Sequence, residues 1–86
     1  MTRLWLALAL AFSAQAAEQS LSLKVEGWHS KGDAFKTEAA VQRVKGVVRV
    51  SSDLPGKTIT VVYDDASANA AAIQKAISAA GYVSHR

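Results

Sequence analysis

Leu21, Leu23 and Val25 alternate with Ser22, Lys24 and Glu26, and beyond Asp33 the apolar spacing changes to three and four. That switch constrains the fold more than any other feature. Period two puts alternate side chains on one face of a strand, and period 3.6 puts them on one stripe of a helix. Ala34, Thr37, Val41 and Val44 form the stripe, with Ala40 beside them and Phe35 off it, at the expected edge of the core. Lys45-Gly46 reads as a basic last turn followed by a glycine cap. Val47 to Val50 and the β-branched run Thr58 to Tyr63 read as two further strands. Between them, Pro55-Gly56 suits the central positions of a type II turn, which predicts a hairpin. Asp65 or Ser67 is the expected N-cap of a second helix, with Ile73, Ala76, Ile77 and Ala80 on its inner face. Gly81 ends that helix, and Tyr82-Val83-Ser84 is a short last strand. The order β-α-β-β-α-β predicts the α+β class: a ferredoxin-like sandwich with a four-stranded antiparallel sheet and two helices on one face.

The first sixteen residues are set apart from this pattern. Arg3 gives a positive start, Leu4 to Phe12 is an apolar run of nine, and Ala14-Gln15-Ala16 offers small residues at a cleavage site. Those three parts in that order read as a signal peptide over 1–16, leaving a domain over 17–86 that enters no membrane after cleavage. The expected location is the periplasm. A domain this short buries only about 60% of the surface its unfolded chain exposes. Exported domains of such size often use disulfides, yet this chain has no cysteine. Without Arg3, nine Lys and Arg stand against seven Asp and Glu, scattered with no run of one sign. That is a solvated surface, not a nucleic-acid-binding stripe.

The loop Gly27-Trp28-His29-Ser30-Lys31-Gly32-Asp33 joins the first strand to the first helix. Together with Val44-Lys45-Gly46-Val47, Val61-Val62-Tyr63-Asp64 and Ala76 to Tyr82, it resembles the heavy-metal-associated domain family, and most closely the family's small periplasmic mercuric-ion-binding proteins. In that family the loop reads Gly-Met-Thr-Cys-x-x-Cys, and the two thiolates hold a soft ion. Ser30 and Asp33 stand at the two cysteine positions here, and Trp28 at the methionine. Sulfur donors match copper(I) and mercury(II), and a hydroxyl and a carboxylate do not replace them. The resemblance thus implies the family's scaffold and a link to metal handling, without tight soft-metal binding.

The loop admits three readings. His29 and Asp33, helped by Ser30, could hold copper(II), nickel or zinc, since imidazole plus oxygen suits such ions. Against this stand the positive Lys31, the small ligand number, and the distance of His85 in sequence. The same residues also make a helix start: Ser30-x-x-Asp33 is close to a capping box, with Ser30 accepting a backbone N–H and Asp33 facing the helix dipole. The third reading is a metal-independent contact surface of Trp28, Lys31 and Tyr82, the partner being a periplasmic or membrane transport protein and the domain itself a monomer. Burial of Trp28 and Tyr82 in the core is the competing expectation for those two rings. Catalysis is not expected: His29 and Ser30 are adjacent, and a triad needs its base to come from elsewhere in the fold. Acylphosphatases share this fold, but no arginine-bearing phosphate loop occurs at the first turn.

Overall fold

The computed structural model describes residues 17–86, and the signal peptide expected over 1–16 lies outside them. Six elements follow one another: β1 (Glu18–Glu26), α1 (Lys31–Gln42), β2 (Val47–Asp53), β3 (Thr58–Asp64), α2 (Ala70–Ala79) and β4 (Val83–His85). The strands form one antiparallel sheet in the order β2-β3-β1-β4, as the βαββαβ pattern requires. No helix among the described residues is long and apolar enough to cross a membrane.

Strand register builds the core. Leu21 lies opposite Val61 and Leu23 opposite Ile59, so the inward residues of β1 and β3 meet as apolar cross-strand pairs. On the outward face Ser22 lies opposite Thr60, with their hydroxyls 3.5 Å apart. Trp28, Val41, Ile73 and Ile77 close over the inward face, all at 1% exposure or less. Each such side chain contributes roughly 1.5–3 kcal/mol by leaving water. A bulge between Val47 and Arg49 breaks the alternation of β2. It turns Val48 out to solvent and lets Val47 pack against the core.

Several boundaries differ from the sequence expectation. α1 ends at Gln42, so Val44 lies half-buried in the bend beyond the helix and Lys45 lies outside its last turn. Gly46 nevertheless carries positive φ, at 99°. Its backbone is crossed so closely by the segment before α2 that a Cβ there would stand 2.8 Å from the Ser67 Cβ and 3.0 Å from the Ala68 Cβ. β2 runs on to Asp53, three residues past Val50. The hairpin turn has the Lys57 N–H donating to the Leu54 carbonyl at 3.1 Å, and its positive φ is at Lys57, not Gly56. A type II turn needs positive φ at the residue after proline, so this turn is of another type.

The second helix starts later than expected. Asp64 and Asp65 are used up in a turn: the Asp64 carbonyl accepts from the Ser67 and Ala68 N–H groups, and its carboxylate accepts from the Ala66 N–H at 2.9 Å. Asn69 is the N-cap instead, its side-chain oxygen accepting from the Ala72 N–H at 2.8 Å. Phe35 does not cover the core edge and is 63% exposed.

Candidate functional site

The loop between β1 and α1 is held from three sides. Gly27, at φ 104°, turns the chain out of β1. The Tyr82 ring packs there so closely that a Cβ on Gly27 would lie 3.1 Å from it. Trp28 points inward at 1% exposure, and its indole N–H donates to the Thr37 hydroxyl at 2.8 Å. Thr37 is itself fully buried, and its hydroxyl donates in turn to the Asp33 carbonyl at 2.9 Å. A polar residue within the Ala34–Val41 stripe therefore satisfies the one polar atom that Trp28 carries into the core.

Asp33 is the centre of the loop. One carboxylate oxygen accepts the Tyr82 hydroxyl at 2.6 Å, and the other accepts the His29 backbone N–H at 2.7 Å. The Tyr82 hydroxyl, then the His29 N–H, holds the Asp33 carboxyl below its ordinary pKa; the same bond to Asp33 raises the Tyr82 phenol above its own. The Lys36 ammonium sits 5.8 Å from the centre of the Tyr82 ring, within cation–π range. A residue of α1 and a residue beside β4 are thus tied across 49 positions of sequence.

The capping box forms only in part. Ser30 is the N-cap of α1 and its carbonyl accepts from Asp33 and Ala34, but its side chain makes no capping bond. Asp33 instead reaches back past Ser30 to the residue before it.

The hydrogen bonds at Asp33 run to the His29 backbone and the Tyr82 hydroxyl, not to the side chains of His29 or Ser30. His29 is exposed and contributes its backbone, the Ser30 side chain leaves the cap unbonded, and both Asp33 oxygens face donors of the protein. Among the described residues, no group of three or more His, Asp or Glu side chains is placed to hold an ion. His85 lies on β4 and meets Glu26, not the loop.

Trp28 and Tyr82 take the core placement rather than the contact-surface one. Trp28 is enclosed because its ring completes the core between sheet and helix, and Tyr82 is 7% exposed because it packs on Gly27. Of the three expected surface residues only Lys31 is exposed. Beside it, Phe35 and Lys31 line a groove of about 440 Å3 with Ala34, Glu38, Leu54 and Pro55. Sequence reasoning places Phe35 at the edge of the core and misses it as an exposed groove residue, although its position off the buried stripe is visible. The Asp33–Tyr82 bond had no local signal, because its partners are far apart in the chain.

Comparison with known proteins adds the family. The heavy-metal-associated domain family matches residues 22–83. Among solved structures, MerP from Ralstonia metallidurans CH34 is 29% identical with a TM-score of 0.77, over 80% of this chain and 96% of that one. A putative copper-ion-binding protein from Bacillus anthracis str. Ames is 28% identical with a TM-score of 0.77, over 80% and 97%. The water-soluble region of the P-type ATPase CopA from Bacillus subtilis is 29% identical with a TM-score of 0.75, over 80% of this chain and 46% of that one. No curated protein sequence matches. The family match spans most of the chain and the topology is the ferredoxin-like one: this chain belongs to the heavy-metal-associated domain family, as a member without cysteine.

Proposed function

We propose that this protein is a non-enzymatic, metal-independent interaction module of a metal-handling system, exported to the periplasm, whose partner is a transport protein. One observation carries the reading: both carboxylate oxygens of Asp33, at the second cysteine position, are taken by donors of the protein itself. A metal loop must open its donors toward an ion. Here the half-exposed Asp33 carboxylate is bound by the Tyr82 hydroxyl and the His29 backbone, which hold the loop together without an ion. The contact face is then the outer side of α1, where Phe35 presents a large exposed ring beside Lys31 and the hairpin residues Leu54 and Pro55. Aromatic side chains of this kind anchor protein interfaces. Kinship with copper-binding and P-type ATPase domains supports a transporter as the partner. Export rests on the arrangement of the first sixteen residues.

Two titrations test this. Copper(I) against a strong chelator, and zinc or copper(II) followed through the His29 imidazole resonances, are expected to show no stoichiometric binding at the loop. Mixing with the soluble domain of a transporter encoded beside this gene is expected to shift resonances around Phe35 and Lys31, and Phe35→Ser to abolish the shifts. Tight metal binding that disappears with His29→Ala would replace this reading with a metal carrier.

A further inference from the structure

The corner of the sheet where β1 begins is crowded with carboxylates. Glu18 lies directly opposite Asp64 in the β1–β3 register, and Asp65 follows. Like charges facing each other across a sheet are destabilising. Asp65 is held in place against the start of β1 by three bonds. Its backbone N–H donates to the Ala17 carbonyl at 2.9 Å, one carboxylate oxygen accepts the Ala17 N–H at 3.2 Å, and the other accepts the Gln19 side-chain amide at 3.2 Å. Lys45 precedes Gly46, whose carbonyl accepts the Asp64 N–H at 2.7 Å. Among the described residues no ion pair joins Lys45 to these carboxylates.

The missing charge lies in the covalent chemistry of Ala17. We infer that cleavage of the Ala16–Ala17 peptide bond makes Ala17 the mature N-terminus, and that the structure assigns Asp65 as the receiving carboxylate for the new α-ammonium group. Water adds across the bond: its oxygen goes to the Ala16 carbonyl carbon, which leaves as a carboxylate, and the Ala17 nitrogen departs with the protons to become –NH3+. The nitrogen already stands at hydrogen-bond distance from Asp65, so no rearrangement is needed. A neutral N–H facing a carboxylate becomes a charged donor facing it, and the bond strengthens accordingly. Folding of the processed chain thus gains an ion pair that the unprocessed chain does not have. The inference rests on the export reading above and goes beyond it by naming the group that the processing creates and its acceptor.

The test uses the full chain expressed with its leader in a Gram-negative host and purified from the periplasm. Intact mass should give a protein that begins at Ala17; a different N-terminal residue overturns both the export site and the ion pair. With Ala17 in place, the α-amino group should titrate at least about half a unit above its ordinary range of about 7.7–8.0. Asp65→Asn should return it to that range. Gln19→Leu, which leaves the Ala17–Asp65 contact intact, should keep it raised, and this variant serves also if Asp65→Asn folds poorly. An α-amino group with the same ordinary pKa in the parent and in Gln19→Leu overturns the ion pair while leaving the processing site standing.

Discussion

Replacing Thr37 by valine isolates the polar link beneath the loop. The two residues are nearly equal in volume, so the change removes a hydroxyl and leaves the packing. That hydroxyl accepts from the Trp28 indole at 2.8 Å, with Thr37 at 0% and Trp28 at 1% exposure, so water cannot take its place. A buried donor left without a partner costs about 1–3 kcal/mol. The Asp33 carbonyl also loses the Thr37 hydroxyl at 2.9 Å, but it lies within α1 and keeps its helical partner. The extra methyl of valine recovers part of the cost, and the net loss should be about 1–2 kcal/mol. For a domain of this size that lowers Tm by roughly 4–8 °C per kcal/mol. Trp28 is the only tryptophan outside the first sixteen residues, so its fluorescence reports this site directly during urea unfolding. Circular dichroism then completes a double-mutant cycle with Trp28→Phe, in which Thr37→Val should cost clearly less because no indole donor remains. If Thr37→Val is neutral, or costs as much in the Trp28→Phe background as beside the native indole, the bond is not what fixes Trp28.

Gly46→Ala and Gly81→Ala form a matched pair, since the two glycines have φ of 99° and 100°; a Cβ meets Ser67 and Ala68 at the first and open space at the second, so by thermal denaturation Gly81→Ala should cost about 1–2 kcal/mol and Gly46→Ala more. The lowered Asp33 pKa makes a contribution to stability that is present above the ordinary carboxyl range and lost as pH falls through the folded-state value, while the raised Tyr82 pKa makes one that is present below pH 10 and lost as pH rises through its folded value. Tyr82→Phe should therefore flatten the stability profile at both its acid and alkaline ends, as followed by urea midpoints across pH. Phe35→Ser should leave the stability within about 0.5 kcal/mol of the parent, because the ring is 63% exposed, and should act only on partner binding.

The element order was legible because the periodicities were clean. Leu21-Leu23-Val25 and Ile59-Val61 alternate, and Ala34-Thr37-Val41 and Ile73-Ile77 step by three and four, so both faces of the sandwich could be read before any pairing was known. What failed was decided by contacts between distant segments. Asp65 and Ser67 have good N-cap side chains, but Asp65 is bound to Ala17 and Ser67 is pressed onto Gly46, so the cap falls to Asn69. Ser30-x-x-Asp33 has the spacing of a capping box, yet Tyr82 takes one Asp33 oxygen and orients the other toward His29. Trp28 could be read as a contact residue or a core residue, and Thr37, nine positions away, decides for the core. In the first two cases a local rule was sound and a long-range partner overrode it; for Trp28 the nearby Thr37 settles which of two readings holds.

The loop also shows how a scaffold built around an ion can hold its shape with oxygen donors alone. In a thiolate site the ion supplies the cross-link between the loop and the first turn of the helix. Here the cross-link runs from Asp33 on α1 to Tyr82 beside β4, and from Asp33 back to the His29 backbone, so the turn is closed without any bound species. The two arrangements compete for one side chain. Restoring sulfur by Ser30→Cys and Asp33→Cys together should create copper(I) affinity measurable against a chelator, and should remove the Tyr82 bond in the same step. The metal-free double variant should accordingly unfold at lower urea than the parent, and copper(I) should raise its midpoint by the linkage of binding to folding. A double variant as stable without metal as the parent would mean that the Asp33–Tyr82 bond contributes nothing to closing the loop, and occupancy of the Asp33 oxygens would then no longer account for a loop closed without an ion.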